Sequence, residues 1–176
     1  SEEENKALLE QFDYKAVKKQ LGEEWVVLIR LHPQIHKQVA ITESGCYDVT
    51  GYSDIKELYV IADVLVNDYS STVVEYALLG KPIVLYAYDL EKYDRGFYRD
   101  YKANAPGVIV YSREELMNIL DVICGNNGVI TQKEELDAVM TKNRKHFLSL
   151  QYDNMDGMAT KRVVDRVLGK RKNNEE

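Results

Sequence analysis

The chain has 176 residues, 45% of them apolar and 30% charged, with a formal net charge of −6. That length suits one ordinary domain with a real core, and the composition excludes an intrinsically disordered chain. The acidic balance argues against a nucleic-acid binder for the chain as a whole, and no run approaches the ~20 apolar residues of a membrane-spanning helix.

Residues 5–21 carry Leu8, Leu9, Phe12, Val17 and Leu21 at helical spacing, which predicts an amphipathic helix. Trp25-Val26-Val27-Leu28-Ile29-Arg30-Leu31 is a β-rich apolar run, read as a buried strand. It stops at His32-Pro33 because proline cannot continue a ladder. Residues 34–45 fit a short helix or a loop. Tyr47-Asp48-Val49-Thr50 reads as a short strand and Gly51-Tyr52-Ser53 as a turn. Ser53 or Asp54 then caps a helix with Ile55, Leu58 and Ala62 inward. The strand Asp63-Val64-Leu65-Val66-Asn67 leads into Asp68-Tyr69-Ser70-Ser71-Thr72-Val73-Val74-Glu75. This hydroxyl-rich turn opens a short helix ending at Leu78-Leu79-Gly80, after which Lys81-Pro82 starts a strand, Ile83-Val84-Leu85-Tyr86.

Residues 88–107 are polar, aromatic and charged without periodicity, and a loop of that length in a compact domain is functional or mobile. Val108-Ile109-Val110-Tyr111 reads as an edge strand. Ser112 caps the next helix in a Ser-x-x-Glu pattern with Glu115, and that helix runs to about Cys124 and stops at Gly125. Residues 131–150 and 156–169 predict two more helices, and the tail 170–176 is charged. Strands alternating with helices imply a Rossmann-like α/β fold, a parallel sheet with right-handed crossovers and helices on both faces. Tyrosine is frequent, 13 against 3 Phe, which suits a polar cleft wall or half-exposed positions. Cys46 and Cys124 lack metal-type spacing and suggest no disulfide framework, so a reducing compartment is expected. The basic residues Lys161, Arg162, Lys170, Arg171 and Lys172 read as a solvated helix face. An opening of Ser1-Glu2-Glu3-Glu4 without Met suggests a fragment or a processed chain.

The turn after Asn67 carries the most specific chemistry. A helix N-terminus gathers unpaired N–H groups, and Ser70, Ser71 and Thr72 add hydroxyl donors without adding charge. Placed at the carboxyl end of a parallel strand, where open α/β sheets bind ligands, they point to a phosphate-bearing ligand. Plain helix capping competes, since Thr72-Val73-Val74-Glu75 is itself a capping-box pattern. Asp68 either orients the serines and the ligand or forms an Asx turn. Arg95 and Arg99 either clamp a phosphate or pair with Asp94 and Asp100. No Gly-x-Gly-x-x-Gly, no P-loop and no Gly-x-Ser-x-Gly elbow occurs. Asp63 and Asp68 flank a strand rather than converge, so no metal is expected.

Eight blocks now fall in a known order and spacing: Arg30-Leu31-His32-Pro33, Tyr47-Asp48-Val49-Thr50, Asp54-Ile55-Lys56-Glu57-Leu58, Ala62-Asp63-Val64-Leu65, Asn67-Asp68-Tyr69-Ser70-Ser71, Gly80-Lys81-Pro82, Arg95-Gly96-Phe97-Tyr98 and Asp156-Gly157-Met158-Ala159-Thr160. Over roughly residues 25–168 the chain resembles the CDP-glycerol glycerophosphotransferases, the polymerases and primases of wall teichoic acid. The resemblance implies the C-terminal, nucleotide-binding half of a two-domain GT-B-type glycosyltransferase fold. Residues 1–176 would be that single domain, cut short of a strand ending in a Pro-Thr-Arg-like loop ahead of residue 1. The N-terminal acceptor-side domain, with the histidine proposed as the family's catalytic base, would be absent.

The same resemblance implies roles for particular residues. His32 would be catalytic and lie near the donor's phosphates. Ser70, Ser71 and His32 would hold the pyrophosphate, with Thr72 a further phosphate donor, Asp68 orienting the serine hydroxyls or bonding the ligand's glycerol, and Arg95 clamping a phosphate. Glu75, one turn into the helix, either takes the ribose hydroxyls or completes the capping box. Thr50-Gly51-Tyr52 either walls the base or is an ordinary turn. The expected donor is CDP-glycerol or CDP-ribitol, without a further cofactor, and the acceptor a lipid-linked teichoic acid. Regions outside this chain would bring the parent to the inner face of the cell membrane, on the cytoplasmic side. The rival readings are a hexose transferase or epimerase using another nucleotide sugar, and a non-catalytic nucleotide-binding module.

Overall fold

The computed structural model describes residues 9–31, 40–93, 96, 97, 99–125 and 130–169. In chain order the elements are helix α1 (Tyr14–Leu21), strands β1 (Val27–Ile29) and β2 (Cys46–Asp48), helix α2 (Ile55–Ile61), strand β3 (Leu65–Asn67), helix α3 (Thr72–Tyr76), strands β4 (Ile83–Tyr86) and β5 (Val108–Val110), then helices α4 (Arg113–Cys124), α5 (Ile130–Gln151) and α6 (Ala159–Gly169). Short 3-10 turns follow α3 at Ala77–Leu79 and occupy the long loop at Leu90–Lys92.

Every strand pairing is parallel, as the alternation of strands and helices requires. β1 pairs with β2, and β4 lies between β3 and β5. Among the described residues β1 and β3 each pair along one edge only. The consequence is visible in burial: β4, flanked on both sides, is buried at every position, whereas each residue of β3 is half-buried. The four apolar residues of β4 divide by the period of two between opposite faces. Val84 and Tyr86 pack with Val17, Leu21, Val27, Ile29, Leu116 and Leu120, under α1 and α4. Ile83 and Leu85 pack with Tyr59, Tyr76, Ala77 and Phe147, under α2, α3 and α5. A continuous apolar run is therefore what a strand covered by helices on both faces demands.

Several local predictions change in detail. The helix expected over 5–21 is interrupted at Asp13, whose backbone is left-handed (φ 50°) and whose carboxylate accepts from the Ala16 N–H at 3.2 Å. An Asp side chain that caps a fresh helical start stabilises this otherwise disfavoured conformation. At α4, the Ser112 hydroxyl accepts from the Glu115 N–H at 3.1 Å, but the Glu115 carboxylate reaches one residue further back, to the Tyr111 N–H at 2.6 Å. Gly107, at the mouth of β5, is needed for close packing: a Cβ there would lie 2.0 Å from the Ile83 carbonyl oxygen. The exposed α6 carries no buried residue.

Candidate functional site

Because the strands run parallel, their carboxyl ends collect on one edge, and the loops leaving them build the site. After β3, Asp68 Oδ1 accepts from the Ser70 N–H at 3.1 Å, forming the Asx turn. Asn67 Nδ2 donates to the Ser70 carbonyl at 3.1 Å, and Asn67 Oδ1 accepts the Thr72 hydroxyl proton at 2.8 Å. The Thr72 N–H points to Ser70 Oγ at 3.4 Å. These bonds spend the Thr72 hydroxyl internally. Among the described residues the Ser70 hydroxyl accepts from Thr72 and donates no hydrogen bond, and the exposed Ser71 hydroxyl makes none.

The capping box over Thr72 and Glu75 does not form. The Thr72 hydroxyl prefers Asn67, and Ser71 stands at the cap position without a side-chain bond. Glu75 is instead exposed, with its carboxylate beside the Tyr59 hydroxyl. α3 itself is only five residues long before it tightens into the 3-10 turn, so its dipole is weak and any anion affinity here rests on individual donors.

After β2, the loop carrying Thr50 and Tyr52 is pinned by Arg30, whose Nη1 donates to the Val49 carbonyl at 3.0 Å and the Tyr52 carbonyl at 2.8 Å. Thr50 Oγ1 accepts from the Leu31 N–H at 3.0 Å, and its own N–H donates to Asp48 Oδ1 at 2.8 Å. The Tyr52 hydroxyl bonds the Glu57 carboxylate, which raises its pKa above the ordinary phenol value. Tyr59 links the two loops. Burial raises its pKa first, the adjacent Glu75 carboxylate raises it further, and Arg30 opposes both. Glu75 and the Arg30-held loop therefore share one neighbourhood.

The long loop after β4 folds aromatic side chains over the serine turn. Tyr69 packs against Tyr93 with ring centroids 4.1 Å apart, Tyr93 stacks on Phe97 at 4.9 Å, and Phe97 meets Tyr101 at 4.6 Å. The Tyr69 hydroxyl donates to Asp89 Oδ1 at 2.7 Å, and the Tyr101 hydroxyl donates to the Asp68 carbonyl at 3.0 Å. Burial pushes both phenols well above their ordinary pKa. An open depression of about 580 Å³ beside them is lined by Leu90, Tyr93, Phe97, Arg99, Tyr101 and Lys102.

The structure thus brings Ser70, Ser71, Thr72 and Asp68 into one turn, and places Glu75, Thr50 and Tyr52 alongside through Tyr59 and Arg30. His32 and Arg95 lie outside the described residues, as does His36. His146 sits on the surface, its ring Nε2 3.2 Å from Asn104 Oδ1. Sequence reasoning gave no role to Arg30, Asn67 or Tyr101. Arg30 and Asn67 stood inside the quoted motifs, and that was their only signal. Among the described residues no group of His, Cys, Asp or Glu is arranged to hold a metal, and no helix is long and apolar enough to cross a membrane.

Known proteins resemble this chain in sequence and in fold. The sequence profile of the CDP-Glycerol:Poly(glycerophosphate) glycerophosphotransferase family matches residues 2–169. The chain is 36% identical over 159 residues to the teichoic acid glycerol-phosphate transferase of Staphylococcus aureus, covering 89% of this chain and 38% of that protein. It is 32% identical to the teichoic acid poly(glycerol phosphate) polymerase of Bacillus spizizenii, covering 89% of this chain and 38% of that one. The structure of a variant of the wall teichoic acid polymerase TagF soaked with CDPG superposes with a TM-score of 0.72 at 28% identity, over 94% of this chain and 40% of TagF. The chain thus spans about two fifths of the length of these relatives. With a profile match running almost end to end over the same motifs that build the turn and the loops, the chain belongs to the CDP-glycerol:poly(glycerophosphate) glycerophosphotransferase family.

Proposed function

We propose that this chain is the donor-nucleotide-binding domain of a polyol-phosphate transferase that takes glycerol phosphate, or ribitol phosphate, from its CDP derivative. The observation that carries this reading is the family match over residues 2–169, which includes every residue assigned to the site. The relatives' length supports a parent protein in which this domain, the C-terminal half of a GT-B-type fold, works with a second, acceptor-binding domain. The acceptor is a hydroxyl of a teichoic-acid-type chain, and the parent works at the inner face of the membrane through regions outside this chain.

In the proposed reaction the acceptor oxygen attacks the β-phosphorus of the donor in line. A new P–O bond forms to the acceptor as the anhydride bond to the α-phosphate breaks, and CMP leaves with that electron pair. The acceptor's proton passes to a base on the second domain. The present residues position and neutralise rather than exchange protons. Ser70 and Ser71 donate to the pyrophosphate, with Asp68 and Thr72 fixing their turn. Glu75 takes the ribose hydroxyls, and the Thr50–Tyr52 loop walls the base. His32 stabilises the departing CMP, and Arg95 clamps phosphate. No metal or further cofactor is required by this scheme.

Titration calorimetry with CDP-glycerol, CDP-ribitol, CMP and UDP-glucose tests it. Preference for the cytidine ligands is expected. Equal or stronger binding of UDP-glucose would favour a nucleotide-sugar transferase or epimerase instead.

A further inference from the structure

The serine turn is tied to the sheet by Asn67, the last residue of β3, and braced from inside by Asp68. Among the described residues, its backbone from Asp68 to Thr72 receives two side-chain hydrogen bonds from outside the turn, one from the adjacent Asn67 to the Ser70 carbonyl at 3.1 Å and one from a residue distant in sequence: the Tyr101 hydroxyl donates to the Asp68 carbonyl at 3.0 Å. The donor is 33 residues away in sequence, in the long aromatic loop. Its ring is itself held, 4.6 Å from Phe97 and 5.6 Å from Tyr69, and Tyr69 is anchored through its hydroxyl to Asp89, in the loop after β4. Tyr69 belongs to the turn, so the loop meets the turn at two points, the Tyr69 side chain and the Asp68 carbonyl.

We infer that Tyr101 is a positioning residue, whose hydroxyl holds the Asp68–Thr72 turn in the conformation that presents Ser70 and Ser71 to the ligand. It touches no reacting atom and acts only through the turn. A turn whose serine hydroxyls must meet phosphate oxygens loses affinity when it wanders, because the ligand must then order it on binding. The long loop accordingly reaches the turn's backbone through this hydrogen bond, beside the Tyr69–Asp89 bond and the ring contacts that hold the Tyr69 side chain. The ligand half of this inference rests on the donor-binding reading above.

Tyr101→Phe deletes the hydroxyl and keeps the ring stack, so the fold should survive. Tyr111→Phe, on an exposed ring over which Lys102 lies, is the control. Two readouts separate the claims. Amide hydrogen exchange at Ser70, Ser71 and Thr72 should accelerate about three- to ten-fold in Tyr101→Phe, the weight of one neutral hydrogen bond, and stay unchanged in α4 and in the control. Calorimetry with CDP-glycerol should show Kd rising by a similar factor. Unchanged exchange in the turn overturns the inference. Faster exchange with unchanged Kd overturns its ligand half. If the wild-type chain binds no CDP-glycerol, the donor reading fails, and the exchange arm still decides whether Tyr101 holds the turn.

Discussion

Asn67 holds Thr72 and Ser70 at once: its side-chain oxygen takes the Thr72 hydroxyl proton at 2.8 Å while its amide donates to the Ser70 carbonyl at 3.1 Å. One side chain at the end of β3 therefore ties the serine turn to the sheet. Asn67→Ala removes both bonds and should cost about 1–2 kcal/mol in urea unfolding. Asn67→Asp keeps the acceptor but loses the donor, and should recover only part of that. An Asn67→Ala variant as stable as wild type would show that the turn is held by something else.

Lys81 explains why the Gly80-Lys81-Pro82 block is structural. Its ammonium lies 2.6 Å from the Val60 carbonyl and 2.7 Å from the Ala62 carbonyl, at the carboxyl end of α2. Those carbonyls have no later N–H to meet, and a cation there also opposes the negative end of the helix. Lys81→Met should lower stability by about 1–2 kcal/mol. It should leave ligand affinity unchanged in the same calorimetric assay, because the residue faces α2 rather than the serine turn.

These cases show where the sequence was legible. β4 is found as read, Ile83-Val84-Leu85-Tyr86, because a strand covered on both faces must be apolar throughout. The Gly125 stop of α4 has φ 81°, where glycine is favoured. The turn at Asp68 was placed correctly, but its internal bonds were not. A capping box and an Asn67 clamp compete for the same Thr72 hydroxyl, and nothing in the local pattern ranks them. Arg30, Lys81 and Tyr101 act on carbonyls 19 to 33 residues away, and such pairings have no periodic signature. The break at Asp13 was equally hidden, since its flanking apolar residues continue the helical spacing across it.

Cys124 gives a pH test. Burial pushes its thiol up to about 11, from an ordinary value of 9.0. Below pH 9 the thiol is protonated in both folded and unfolded chains and contributes no pH dependence. Between about 9 and 11 the unfolded chain releases the proton first, so stability falls as pH rises through that window. Urea unfolding at pH 8 and pH 10 should therefore show a larger loss for wild type than for Cys124→Ala. Equal losses would contradict it.

The central claim is that the serine turn holds the donor's phosphates. The most direct measurement is calorimetry of CDP-glycerol binding to wild type and to the Ser70→Ala, Ser71→Ala double variant, with cytidine alongside. The account predicts that the double variant loses about a hundred- to ten-thousand-fold in CDP-glycerol affinity, the weight of two hydrogen bonds to charged oxygens, while cytidine binding is unchanged. A double variant that binds CDP-glycerol as tightly as wild type would contradict it.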